Sequence, residues 1–93
     1  LHSPPLRDSE SASSKALTEL ATAQEILTRI LFTERVPLRF PEVVVDNGVA
    51  TIRGAVNAPG NTERCVQAAE QVEGVERVET QIAYVPEHYG PFV

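Results

Sequence analysis

Hydrophobic and polar positions alternate most clearly over residues 43–56, Val-Val-Val-Asp-Asn-Gly-Val-Ala-Thr-Ile-Arg-Gly-Ala-Val. Two β-branched runs flank Asn47-Gly48, a dipeptide that favours a type I′ turn because both central residues of that turn need positive φ. A two-residue loop sets four antiparallel pairs, Val43–Ile52, Val44–Thr51, Val45–Ala50 and Asp46–Val49. The pattern therefore predicts a β-hairpin with one buried face.

The two faces of this hairpin differ in character. The face predicted to be buried carries Val43, Val45, Ala50, Ile52, Gly54 and Val56. The opposite face carries Val44, Val49, Thr51 and Arg53. Three glycines are predicted to be structural: Gly48 in the turn, Gly54 at the close of the second strand and Gly74 after the second helix.

Residues 15–35 contain neither Gly nor Pro and have helical periodicity, which predicts a long amphipathic helix. Its apolar stripe runs through Leu17, Leu20, Ala21, Gln24, Leu27 and Leu31 and is widened by Ala23, Ile26 and Ile30. The charges on this helix sum to zero, which favours packing on a core over lying on a membrane. The Ser- and Pro-containing residues 1–14 are expected to form a flexible linker or disordered arm.

A second helix is predicted from Asn61, as N-cap, to about Glu73. Its narrow stripe of small residues is Cys65, Ala68, Ala69 and Val72. The last strand is predicted to place Val78, Thr80, Ile82 and Tyr84 on one face, and Gln81, Ala83 and Val85 on the other. Residues 86–93 are expected to form a C-terminal tail. The domain proper is therefore expected over residues 15–85.

The order of elements is helix, strand, strand, helix, strand. This order predicts an α+β fold, a two-layer αββαβ sandwich in which two helices pack on one face of a three-stranded mixed β-sheet. Pro41 has no N–H to donate to a ladder, so the first strand is expected at a sheet edge.

Charge and composition exclude several classes of protein. A net charge of −5 argues against unaided nucleic-acid binding, because phosphate neutralisation supplies most of that affinity. A single cysteine excludes an internal disulfide. No run of 18 apolar residues is present, so we expect no segment of this sequence to span a membrane. The chain begins without Met, and we expect it to be part of a longer protein with other domains.

The sequence offers no catalytic constellation, and we expect no enzyme, no cofactor and no metal. Both histidines, His2 and His88, lie in the predicted tails, and Cys65 lies on the buried helix stripe, where a thiol behaves as a small hydrophobe. Four glutamates cluster near the end of the second helix: Glu70, Glu73, Glu76 and Glu79. We interpret them as solvated surface charge because no alternating pattern of oxygen ligands accompanies them.

Residues 43–56, followed by Val-Glu-Gly-Val-Glu-Arg-Val-Glu-Thr-Gln-Ile-Ala-Tyr-Val over residues 72–85, resemble the BON domain (bacterial OsmY and nodulation). The resemblance covers residues 42–85. The positions that carry it are Val43, Val45, Gly48, Val49, Ile52, Gly54, Val72, Gly74, Val75, Val78 and Ile82. It implies a non-catalytic module of bacterial envelope proteins, in the periplasm or cell envelope, associated with phospholipid or membrane attachment.

The expected interaction surface is the sheet face opposite the helices, with Val44, Val49, Thr51, Arg53, Ala83 and Val85 as its candidate residues. Its expected partners are membrane lipid or an envelope protein, and not nucleic acid. The alternative function is a structural assembly domain, because ring-building modules of secretion systems share the αββαβ order.

Overall fold

The computed structural model describes the backbone of residues 6–86 and the side chains of residues 14–86. Helix α1 (Leu6–Thr28) runs into a π-helical turn (Arg29–Thr33). Strands β1 (Arg39–Asp46) and β2 (Val49–Val56), helix α2 (Asn61–Glu70) and strand β3 (Arg77–Tyr84) follow. The predicted α+β fold is confirmed: two helices pack on one face of a three-stranded mixed sheet.

The sheet has the order β1-β2-β3, with β2 at its centre. Strands β1 and β2 are antiparallel in the predicted register, and β2 and β3 are parallel. Asn47 and Gly48 have φ of 49° and 81°, so both central residues of the turn are in the left-handed region that a type I′ turn requires. The hairpin and the edge position of β1 are therefore confirmed.

The core lies between this sheet and the two helices. Its buried residues are Ala23, Ile26, Ile30, Val36, Leu38, Val45, Ala50, Ile52, Val56, Cys65, Ala68, Ala69 and Val72. The small stripe predicted on α2 and the large inward side chains predicted on β2 are among them. Small side chains on α2 let its backbone approach the sheet closely, so the core can be closely packed in a short chain.

Helix α1 differs from its prediction in two respects. It begins at Leu6, inside the segment expected to be a linker, because residues 6–14 contain neither Gly nor Pro and serine costs a helix only up to about 0.7 kcal/mol per residue. Its buried side is formed by Ala23 and Ile26 and continues through Ile30 of the π-turn, whereas Leu17 and Leu20 are 66% and 56% exposed. The predicted centre of the stripe is therefore wrong.

The reason for this rotation is geometric. Apolar residues surround more than half of α1, so periodicity alone allows several buried sides, and the sheet contacts only one of them. The described part of α1 packs chiefly on β1, the strand at the sheet edge. The first five residues and all of the predicted 86–93 tail except Pro86 lie outside the described part of the chain.

Helix α2 is shorter than predicted. Gly60 occupies the N-cap position without a side-chain cap, and Asn61 is the first helical residue. The helix ends at Glu70, and two tight turns, in which the Val72 N–H donates to the Ala69 oxygen and the Val75 N–H to the Val72 oxygen, follow before β3. Gly74, with φ of 99°, ends this irregular segment instead of the helix itself.

The first strand changes direction near its start. The register between β1 and β2 shifts between Arg39 and Glu42, and Phe40 within the shift has φ of 51°. The bulged backbone passes close over Gly54, where a Cβ atom would lie 2.7 Å from the Arg39 oxygen. Gly54 has φ of 149°, so both its conformation and its surroundings favour glycine.

We predict that Gly54→Ala lowers the free energy of unfolding by more than about 2 kcal/mol, because the added methyl group would clash with the main-chain oxygen of Arg39 on the paired strand. Gly60→Ala is the matched control, since a methyl group there would meet no atom of the described chain within 4 Å, and we expect a change within about 0.5 kcal/mol. Urea titration of both variants measures the difference. Equal losses would contradict the described path of β1.

Candidate interaction surfaces

The sheet face that carries no helix, which we call the open face, presents the residues predicted to interact. Val44 lies opposite Thr51 in the antiparallel ladder, and Val49, Arg53 and Ala55 lie opposite Arg77, Gln81 and Ala83 in the parallel one. Val85 continues this face just beyond β3, where its N–H donates to the Val56 oxygen at 2.8 Å. Their role as a binding site stays a prediction.

A polar belt crosses the open face and divides these residues. The Arg53 Nε–H donates to Gln81 Oε1 at 2.8 Å, and the Arg53 guanidinium forms an ion pair with Glu42 at 3.3 Å. The belt consists of one residue from each strand, Glu42, Arg53 and Gln81. It separates the apolar area around Val44 from the one formed by Ala83 and Val85. The open face is therefore two small apolar areas with an exposed charge network between them.

The turn end of the sheet, around Asn47 and Gly48, is held by other elements. The Glu19 carboxylate accepts a hydrogen bond from the Asn47 N–H at 2.8 Å, and the Lys15 ammonium donates to the Asn47 side-chain oxygen. The Gly48 carbonyl accepts the N–H groups of Glu76, at 2.7 Å, and Arg77, at 3.1 Å. One turn thus fixes the outer part of α1 and the start of β3.

A shallow apolar groove of about 230 Å³ runs between α1 and β1. Ala16, Leu20 and Ala23 line it from the helix, and Val43 and Val44 line it from the strand. Val44 is 44% exposed and thus contributes to both the groove and the open face.

The opposite end of the sheet carries the most exposed aromatic side chains in the described part of the chain. Phe32, within the π-turn, is 71% exposed, and Phe40, the second residue of β1, is 85% exposed. Arg35 and Arg39, both exposed, lie between them in sequence. We call Phe32, Arg35, Arg39 and Phe40 the connector end.

Backbone conformation holds the connector end in place. The Glu34 N–H donates to the Arg29 oxygen at 2.7 Å, which closes the π-turn, and Arg35 then adopts φ of 56°. The Arg64 guanidinium on α2 donates to the Glu34 oxygen and so satisfies a helix-terminal carbonyl. Two non-glycine residues with positive φ, Arg35 and Phe40, therefore lie within six residues, and such strain is concentrated at functional sites.

The sequence pattern did not predict the connector end, because the two prolines there indicate only an extended segment. Pro37 and Pro41 predict an extended run over residues 36–41, but Phe40 has φ of 51°, in the left-handed region, so this prediction is wrong at Phe40. The signal that could have indicated this surface is the pair of phenylalanines on a segment too short to bury both.

Cys65 has a structural environment. Burial raises the pKa of the Cys65 thiol, and the nearby Arg64 guanidinium acts in the opposite direction with smaller effect. A buried protonated thiol is a weak nucleophile. In the described part of the chain, no three His, Cys, Asp or Glu side chains lie close enough to hold a metal ion.

The family model described as "BON domain" matches residues 18–86, which include every strand and α2. The chain belongs to the BON domain family. It is also 30% identical over 78 residues to Osmotically-inducible protein Y of Escherichia coli (strain K12), an alignment that covers 83% of this chain and 39% of that protein. The chain thus spans about two fifths of this relative's length.

Among the described residues, no helix combines the length and the apolar character needed to cross a bilayer.

We predict that Glu19→Ala speeds amide hydrogen exchange at Asn47, because its N–H loses its acceptor, and lowers the free energy of unfolding by about 0.5–1.5 kcal/mol. Glu25→Ala is the control, since the Glu25 carboxylate lies 3.5 Å from Arg29 and pairs within the same helical stretch. NMR-detected exchange measures both variants. Unchanged protection of Asn47 in Glu19→Ala would show that α1 does not hold the turn.

Proposed function

We propose that this BON domain is a non-catalytic attachment module of a bacterial cell-envelope protein and that its connector end contacts the phospholipid surface. The single observation that supports it best is the exposure of two phenylalanines on one short segment. Fully burying a Phe side chain is worth about 1.5–3 kcal/mol, so two rings that enter the headgroup boundary supply a useful attachment energy.

The distribution of charge supports the same orientation. Arg35 and Arg39 are exposed at the connector end, whereas Asp46 and Glu76 are exposed at the turn end. The turn end also carries Lys15, Glu19 and Arg77, so its net charge is only slightly negative. Anionic headgroups therefore favour the connector end by a small margin. The net positive charge of the connector end is small, because Glu34 lies in the same segment. We therefore expect the aromatic rings to supply most of the attachment energy, and the binding to weaken only slightly as the salt concentration rises.

The open face is the less favourable membrane surface. Its apolar residues are divided by the Glu42–Arg53–Gln81 belt, and moving that belt toward acyl chains would remove water from three polar side chains. Of the two apolar areas that remain, the one around Val44 is small, and the one around Val85 adjoins Phe40 of the connector end, with which it lines one pocket. Protein contact through this face, in a periplasmic assembly, is the alternative function.

Liposome co-sedimentation tests the proposal. We expect wild-type protein to bind vesicles that contain anionic phospholipid, with only modest weakening between low and physiological salt. Phe32→Ser/Phe40→Ser is expected to lower the partition coefficient at least about tenfold, because it removes the side chains that enter the boundary.

Val44→Ser/Val49→Ser is the matched control, since it removes two apolar side chains from the open face and leaves the connector end intact. Circular dichroism first shows that each variant is folded. A larger loss of binding in the Val44 and Val49 variant would assign the contact to the open face. If wild-type protein stays in the supernatant with every vesicle composition, direct lipid binding is wrong. Attachment to a protein partner then becomes the expected function.

A further inference from the structure

The two edges of the sheet are protected to different degrees. The outer edge of β1 is interrupted by Pro41, by the register shift between Arg39 and Glu42 and by the positive φ of Phe40. Bulges and prolines are the features with which natural proteins prevent unwanted strand pairing. β3 has none of them: its eight residues pair with β2 without irregularity, from Arg77 to Tyr84.

Hydrogen bonds show which main-chain groups of β3 point outward. The Arg77 N–H donates to the Gly48 oxygen and the Val85 N–H to the Val56 oxygen, so the odd-numbered residues of this strand face β2. In a parallel ladder, alternate residues direct both main-chain groups to the same side. The N–H and C=O groups of Val78, Thr80, Ile82 and Tyr84 therefore point away from the sheet, and among residues 6–86 no strand pairs with them.

The side chains along this edge are also incompletely covered. Val78 and Ile82 pack against the core but stay half-buried, and Tyr84 is 53% exposed. Thr80 lies on the same face and is exposed. The helices therefore leave the part of their sheet face that lies along β3 incompletely covered.

We propose that the β3 edge pairs with β3 of a second copy of this chain, antiparallel about a two-fold axis at Gln81, to form a continuous six-stranded sheet. This register joins all four outward residues: Val78 faces the partner's Tyr84, and Thr80 faces the partner's Ile82. Each copy thereby satisfies its exposed main-chain groups and extends its apolar face across the junction.

The charges are compatible with this arrangement. On the open face Gln81 meets the partner's Gln81, and Glu79 meets the partner's Ala83, so no like charges lie directly opposite one another. A parallel, in-register pairing of two β3 strands would instead bring Glu79 beside Glu79 and Arg77 beside Arg77. Avoidance of like charges therefore favours a second copy in the antiparallel direction.

Sedimentation velocity tests the association directly, from about 10 μM to about 1 mM, the range suited to a small interface. We expect wild-type protein to shift from monomer to dimer. Thr80→Pro is expected to stay monomeric and folded, because it removes an outward N–H that β2 does not use. Val44→Ser, an exposed change on β1, is expected to dimerise like wild type.

Cross-linking tests the register. Gln81→Cys is expected to form an intermolecular disulfide, because residues at a non-hydrogen-bonded antiparallel pair have Cα atoms about 4.5 Å apart, within disulfide range. Glu63→Cys, exposed on α2, is expected to remain unlinked under the same oxidation. Equal linkage of the two variants would overturn the register.

A wild-type chain that is monomeric at every concentration overturns the proposal. Dimerisation of Thr80→Pro equal to that of wild type does so as well, because it moves the contact to another surface. A dimer that appears only after removal of residues 87–93 also overturns the proposal for the full chain. It would indicate that the chain's own C-terminal segment occupies the β3 edge. The liposome result is independent of all three outcomes.

Discussion

The register of the β1–β2 hairpin is the constraint on which the rest of the structure depends. A two-residue type I′ turn at Asn47-Gly48 admits one pairing, and side chains alternate with a period of two. A shift of one residue would move Val45, Ala50 and Ile52 from the core to water. Because β2 is the central strand, the same register also decides which residues of β3 face the helices.

The turn connects this register to the rest of the chain. Its Gly48 carbonyl holds the start of β3, and its Asn47 amide binds Glu19 on α1, so both contacts depend on the turn geometry. The connector end and the β3 edge lie away from these contacts and keep their exposed groups. The fold therefore leaves two surfaces for attachment: one aromatic and weakly basic, and one made of main-chain groups at a sheet edge.

Local patterns predicted most of the fold, since turn chemistry and alternation are properties of neighbouring residues. The hairpin register, the Cys65–Val72 stripe and the layer arrangement could all be derived in this way. The buried side of α1 could not, because Leu17 and Leu20 fit a helical stripe as well as Ile26 and Ile30 do, and only the position of β1 decides between them. The connector end and the Glu19–Asn47 contact depend likewise on residues distant in sequence.

The register is tested most directly by the free energies of unfolding of two neighbouring aspartate variants. Ile52 is fully buried and Thr51 is half-buried on the open face. We expect Ile52→Asp to cost more than about 4 kcal/mol, because it buries an unpaired charge, and Thr51→Asp to cost about 1 kcal/mol through repulsion by Glu79 on the neighbouring strand. Equal losses in the two variants, or a larger loss for Thr51→Asp, would contradict the hairpin register and the surfaces derived from it.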